Sequence, residues 1–412
     1  MQLKLKKVEM AIYALFFALF KIYIIPQILQ QTLKIILLVY VFIFLLKNIR
    51  INNIYNATIP FGISIILSGI ISHVNGQVGL QSIYNGILHV LCLYLTFMLV
   101  RYCKEHKYYE ILTSCLFRIT TLYCILSFFS MIALGHSDVG TEITYFFGYK
   151  FMTSYYFILG IALFRIKYYK RLKRYKRYEI AYFILSACTL FICRWLYCST
   201  AMVASLLLLI VPFVSRRTKK IAMNPLAVIL FIILAGLLPF AIELIMKISF
   251  VQHVVADILH KSLNLTGRVK IYAFLEQIIS ERSLFGYGYG NVAVERVVGY
   301  GNAQNGLMQL IVDYGLIGAA LFFILVYSCL RKRKISESLE GFYMVLYIMI
   351  ICSTVEISYN YIFYMVLFVI GCFSDEQEYS NEVLEDVYRR NKKIKKRKGS
   401  QDENRNIIYA KG

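Results

Sequence analysis

Arg268 is the residue whose type and setting could do the most chemistry in this chain, because it follows Gly267 in a polar stretch that interrupts long apolar runs. A guanidinium is planar, permanently charged and fork-shaped, which suits two-point recognition of a phosphate. An arginine in a loop is usually just solvated, so its neighbours must decide. Five further ionisable residues stand within or at the ends of apolar runs: Lys21, Arg118, Arg194, Glu243 and Glu356. A charge there costs about 2.5–3.5 kcal/mol on insertion scales and is a functional hypothesis by default. Lys21 can snorkel along its own stem, and Glu243 near a run's end is equally explained by solvation. Arg118 could snorkel or form a buried ion pair. Arg194 could face the polar stretch or anchor at an interface. Glu356 closes an apolar run and could be a base or a surface cap.

The cluster Gly286-Tyr287-Gly288-Tyr289-Gly290 has neither the preceding strand nor the spacing of a dinucleotide loop. Its glycines fit a tight turn with positive φ. Tyr287 and Tyr289, with Tyr300, could stack on sugar rings, although interfacial aromatics are the commoner role for such residues. His253 and His260 are too far apart for a one-face pair of metal ligands, and none of the 10 cysteines falls in a ligand-like spacing. No metal site or disulfide framework is expected.

The elements that must position these residues are membrane helices. Of 412 residues, 59% are hydrophobic and 17% charged, which excludes a soluble domain. Apolar runs approach the ~20 residues that cross a bilayer, and lipid forces such runs to be helical. The alternation of a barrel is absent. The expected fold is an all-α polytopic bundle of about twelve spans, at 9–29, 33–47, 58–73, 83–100, 111–134, 150–166, 179–196, 199–214, 225–246, 305–330, 340–356 and 360–373. Cations gather in alternate short connections, which by the positive-inside rule places both termini in the cytoplasm and 247–304 outside.

A net charge of +22 would point to nucleic acid in a soluble chain. Here its placement points to anionic headgroups instead, notably for the basic aromatic run 165–178. The first apolar run lacks a cleavage site and is expected to be a retained helix. Four regions result: a nine-span bundle over 1–246, a loop bearing short helices and the candidate active site over 247–304, terminal spans over 305–373, and a charged, disordered tail over 374–412. Within the loop, Val269, Tyr272, Ala273, Leu275, Ile278 and Ile279 make a helical stripe, with Thr266 as N-cap and Arg268 and Glu276 available to a cavity.

Read in order, Gly267-Arg268, Ser283-Leu284-Phe285-Gly286-Tyr287-Gly288, Gln304-Asn305-Gly306-Leu307 and Gly315-Leu316-Ile317-Gly318 resemble the signature of the bacterial O-antigen polymerase and ligase superfamily. Weaker likenesses lie at Phe147-Gly148-Tyr149-Lys150, at Cys198-Ser199-Thr200-Ala201 and at Thr354-Val355-Glu356. The resemblance implies inverting, metal-independent glycosyl transfer from undecaprenyl diphosphate at the outer leaflet, without a cofactor. It puts Arg268, Gln304 and Glu356 in the catalytic site. Arg194, Arg268, Lys150, Tyr287, Tyr289 and Asn305 would bind diphosphate and sugar. One position departs from the pattern, since the usual His is Gln304, which cannot take a proton at neutral pH and could only orient an acceptor. This argues somewhat against a ligase. The base stays open among Glu356, Glu295, Asp313 and Glu276, or none.

The expected activity is polymerisation of lipid-linked oligosaccharide repeat units into capsule, exopolysaccharide or O-antigen, in a bacterial cytoplasmic membrane. Its expected partners are membrane lipid and a chain-length regulator and flippase of the same pathway, not nucleic acid. The alternatives are a carrier or flippase for lipid-linked sugars, or a ligase-like transferase. A carrier is disfavoured because polarity concentrates in one asymmetric loop rather than in paired halves.

Overall fold

The computed structural model describes residues 2–373 except 21, 24, 49–56, 77, 136–142, 246, 254–255, 257–267, 332–338 and 358. Lys21, His260, Thr266, Gly267 and the tail from 374 onward lie outside the described residues, as do the side chains of Glu243 and Val269.

Among the described residues the chain is all-α, with one isolated bridge between Tyr145 and Gly148. The helices α1 (Gln2–Leu19) and α2 (Gln27–Asn48) lead to α3 (Thr58–Val74), α4 (Leu80–Glu105), α5 (Tyr109–Leu134) and α6 (Lys150–Lys167). Short basic α7 (Tyr169–Arg174) precedes α8 (Lys176–Trp195), α9 (Ser199–Ile210), α10 (Arg216–Ala222) and α11 (Pro225–Ile245). Three helices too short to span follow: α12 (Ser249–His253), α13 (Arg268–Glu281) and α14 (Ala293–Val298). The chain then closes the bundle with α15 (Gly306–Leu330), α16 (Glu340–Cys352) and α17 (Tyr361–Phe373).

Each apolar stretch marked in the sequence coincides with a helix, but the first is displaced. Instead of running through 9–29, α1 ends at Leu19 and α2 restarts at Gln27. Pro26 disfavours helical backbone at the residue before it, so the turn falls there. By length and apolarity α2, α4, α5, α8 and α15 can each cross a membrane. A sixth crossing is available if α10 and α11, bent by 68° at their junction, act as one broken span. Four shorter apolar helices, α3, α9, α16 and α17, pack among them. The chain is a multi-pass helical membrane protein, and length and composition alone support five or six crossings rather than twelve.

Exposed Ile125, Phe128, Phe129 and Ile132 on α5 and Leu230, Leu234 and Leu237 on α11 give the bundle the apolar exterior that lipid requires. Between helices, lipid supplies no hydrophobic drive, so association relies on close packing. At Gly371 a Cβ would stand 3.1 Å from the Cys329 backbone, which shows how closely α17 approaches α15. Phe322 fills the adjacent core, with its ring 5.9 Å from those of Phe61 and Phe363.

The longest candidate span of the C-terminal part, α15, is broken at Gly315, where φ is 67° and ψ −172°. Only glycine enters that region of backbone space readily. The turn at 283–288 enters the break. Tyr287 N donates to Val312 O and Gly288 N to Asp313 O, each at 2.8 Å, while Leu316 N donates to Ser283 O at 2.8 Å and Ile317 N to Leu284 O at 3.2 Å. Ser68 and Ser72 of α3 complete the junction by donating to Asp313 O and Gly286 O. Irregular backbone survives at membrane depth only when protein satisfies its polar groups, and this turn does so. Substitution is blocked on both sides, because a Cβ on Gly286 would meet the 312–315 backbone at 2.6 Å and one on Gly315 would meet Leu284 O at 2.2 Å.

Candidate functional site

Arg268 is the first residue of α13 and sits beside the segment that follows α16. Its Nη2 lies 2.7 Å from Glu356 Oε1, and its Nε donates to Val355 O at 3.2 Å. The two side chains are 17% and 13% exposed, so the pair is largely withdrawn from water. Removing either partner would therefore strand a charge. The helix that carries Arg268 docks through Ile271, Tyr272, Leu275 and Ile278, which are buried, while Ala273 and Glu276 are exposed. Glu276 thus points away from the pair.

One turn on from Arg268, the Tyr272 hydroxyl donates to Gln304 O at 3.0 Å. Burial pushes the Tyr272 phenol up to about 12, against the opposing pull of Arg268, so it stays a donor at any physiological pH. Gln304 holds a positive φ of 49°. Its backbone N and its Nε2 both donate to Asn302 Oδ1 at 2.9 Å. The next residue, Asn305, is wholly buried and caps α15 by accepting from Met308 N, while its amide donates to Ala235 O and Thr354 O. Asn305 therefore ties α11, α15 and the end of α16 together, and the ring of contacts around it fixes Gln304 near the Arg268–Glu356 pair.

Lys150 opens α6 at the same end of the bundle. Cys198, between α8 and α9, lies within electrostatic reach of both Lys150 and Glu356. Tyr155 of α6 is likewise within reach of Glu356. Arg194 does not join this cluster in the contacts seen: it is exposed near the end of α8, with its guanidinium 5.7 Å from the centre of the Tyr197 ring. Arg118 is exposed and stands 3.7 Å from Glu9, a loose surface pair between α1 and α5.

Tyr287 and Tyr289 point into the protein. The Tyr287 hydroxyl donates to Glu281 Oε2 at 2.8 Å and to Ile278 O at 3.1 Å, and its phenol is pushed up to about 12 by burial and then by that carboxylate. Tyr289 stacks on His89 of α4 at 4.7 Å. His89 Nδ1 lies 3.0 Å from the Tyr361 hydroxyl, and Lys34 Nζ stands 5.6 Å from the centre of the Tyr361 ring. Lys34 and His89 were not singled out in the sequence. Their signal was available, since both are ionisable residues on apolar helices.

The comparisons fall on the same region. The profile of the Wzy_C family, described as O-antigen ligase, matches residues 181–323, a segment that contains Arg194, Arg268, the 283–288 turn, Gln304 and Gly315. No curated protein matches the chain significantly. The matched segment, which carries the largely withdrawn Arg268 within a multi-pass helical bundle, places an O-antigen ligase-type domain at residues 181–323 of this chain.

Proposed function

We propose that the chain is a membrane glycosyltransferase that polymerises undecaprenyl-diphosphate-linked oligosaccharide repeat units. The observation that carries this reading is the Arg268–Glu356 pair, whose arginine lies inside the family-matched segment. Glu356 holds the guanidinium in one orientation before substrate arrives, which lowers the cost of ordering it later. A diphosphate approaching the pair meets a preset donor fork. As the acceptor hydroxyl attacks the anomeric carbon from the opposite face, charge builds on the departing diphosphate, and Arg268 stabilises it. Lys150 is a second cation on the approach. Gln304 orients the acceptor by hydrogen bonds.

In this reading the twelve larger helices all cross or enter the membrane, 1–246 and 305–373 form the scaffold, and 247–304 is the catalytic loop on the outer face. Both termini are then cytoplasmic and the membrane is a bacterial cytoplasmic one. The charge distribution supports this. At the end opposite Arg268, Arg165 and Lys219 pair with Glu340 at 2.9 and 3.0 Å, and basic α7 and α10 lie there with them. A flippase that delivers repeat units and a regulator of chain length are the natural partners of such a reaction.

The test is a vesicle assay with purified protein and undecaprenyl-diphosphate repeat units. A ladder of products differing by one repeat unit is expected, and Arg268→Ala should reduce it to the single unit. The family description favours a second reading, in which a finished glycan is transferred once to a different acceptor. A single transfer product without a ladder would establish that instead. Movement of the substrate across the vesicle without new glycosidic bonds would make the chain a carrier.

A further inference from the structure

The reaction proposed above needs a group to take the acceptor's proton, and Gln304 cannot. Among the carboxylates near the loop, Glu276 and Glu295 are exposed, Glu281 receives the Tyr287 hydroxyl, and Glu356 is committed to Arg268. Asp313 differs from all of these. Its Oδ1 accepts from Asn291 Nδ2 and from Gln309 Nε2, both at 2.7 Å. Among the described residues its Oδ2 accepts no hydrogen bond and no cation pairs with the carboxylate, and the residue keeps partial exposure. One oxygen is thus locked and the other presented.

The supports of Asp313 are themselves fixed. Gln309 cannot turn its amide round, because its Oε1 accepts from Ala303 N at 2.7 Å. Asn291 is set by its donation to Gly288 O at 2.7 Å and its acceptance from Ala293 N at 3.0 Å. A carboxylate on a membrane helix with no counter-ion is costly and calls for a function. If its only duty were to hold Asn291 and Gln309, a neutral carbonyl oxygen would serve equally well.

Position also fits. Asp313 stands seven residues beyond Gly306, about 10 Å along a helix at 1.5 Å per residue. The 303–305 segment at that helix end is tied to Arg268 through Tyr272. Gln309 joins the two, accepting from Ala303 N and donating to Asp313, so the carboxylate is linked directly to the segment that holds Gln304.

We infer that Asp313 is the general base of the transferase, accepting the acceptor's proton on Oδ2. This rests on the glycosyl-transfer reading. In the step, the acceptor oxygen forms a bond to the donor's anomeric carbon while the bond from that carbon to the diphosphate oxygen breaks. The electron pair leaves with undecaprenyl diphosphate beside Arg268, and the hydroxyl proton passes to Asp313 Oδ2.

The decisive variant is Asp313→Asn, whose carbonyl oxygen can keep both amide donors while an amide replaces the free oxygen. In vesicles containing the full chain and undecaprenyl-diphosphate repeat unit, glycosidic bond formation should fall by about 10²–10⁴-fold. Binding of undecaprenyl diphosphate should stay within twofold, and Asp313→Glu should recover part of the rate. Asp313→Asn within threefold of wild type would overturn the inference. So would loss of folded protein or of diphosphate binding in that variant, since the role would then be structural. Arg268→Ala is run alongside: transfer that survives Arg268→Ala sinks the glycosyl-transfer site, whatever Asp313→Asn does.

Discussion

Arg268 and Glu356 lie 88 positions apart in the sequence and 2.7 Å apart in the structure. The first begins a helix of the polar stretch and the second follows α16, so their meeting closes that stretch onto the bundle. The pair explains why a loop arginine is held in place rather than solvated.

Breaking this pair should cost both stability and function. Arg268→Ala leaves Glu356 without its cation, and the loss of a buried partner is worth roughly 3 kcal/mol. Glu356→Gln keeps an acceptor oxygen for the guanidinium and should be milder in stability, yet reduce transfer because Arg268 is less firmly oriented. Thermal unfolding of each variant in detergent, measured beside product formation, separates the effects. Equal melting temperatures for the two variants would contradict this account.

The interlock between Gly286 and Gly315 predicts a graded glycine series. Gly286→Ala and Gly315→Ala each force a Cβ into backbone and should abolish folded protein. Gly290→Ala meets nothing within 4 Å but has a φ of 69°, so it should lose only about 1 kcal/mol, the cost of a left-handed residue. Gly301→Ala has open space and no such φ and should be silent. Fluorescence-detected size exclusion ranks all four.

Asn305 should tolerate almost nothing. Asn305→Asp retains the cap on Met308 N but sets a carboxylate against two carbonyl oxygens, those of Ala235 and Thr354. We expect it to be more destabilising than Asn305→Ser, which keeps a cap and forgoes about 1 kcal/mol per lost hydrogen bond. Proteolytic susceptibility at the ends of α11 and α15 provides the readout.

The loop tyrosines should make the site sensitive to alkali. Tyr272 and Tyr287 are both pushed up to about 12, from 10.0 in water. A raised folded value means that the protonated form is favoured by folding. The contribution is therefore fully present below pH 10 and is lost as pH rises towards 12. Tyrosinate absorbance should lag behind that of the unfolded chain across this window, and Tyr272→Phe should remove part of the lag.

A neutral variant of Glu340 should loosen the opposite end of the bundle. Glu340→Gln leaves Arg165 and Lys219 facing each other without their shared carboxylate. Melting should drop by more than for Arg101→Gln, whose pair with Glu105 lies within one helix and has an exposed carboxylate.

The helices were legible in the sequence because lipid permits few alternatives: an apolar run of sufficient length must satisfy its own backbone, and only a helix does. Arg268 and Glu356 stood out because a charge in an apolar pattern is expensive and therefore informative, whereas Gln304 stood out only through the family resemblance. What the sequence left open was decided by tertiary contact. Tyr287 and Tyr289 carry no mark of facing inward, because an interfacial aromatic and a buried one have the same composition. Asn305 reads equally as a ligand or a cap until Ala235 and Thr354 are found against its amide. The Gly286 turn and the Gly315 break became a single feature only when the orphan carbonyls of one met the N–H groups of the other. Asp313 was one carboxylate among four until hydrogen bonds from Gln309, one turn earlier on its helix, and from Asn291 of the loop fixed one of its oxygens. Backbone pairing at this range depends on how the helices pack, and packing is a property of surfaces brought together by the whole chain rather than of any local pattern along it.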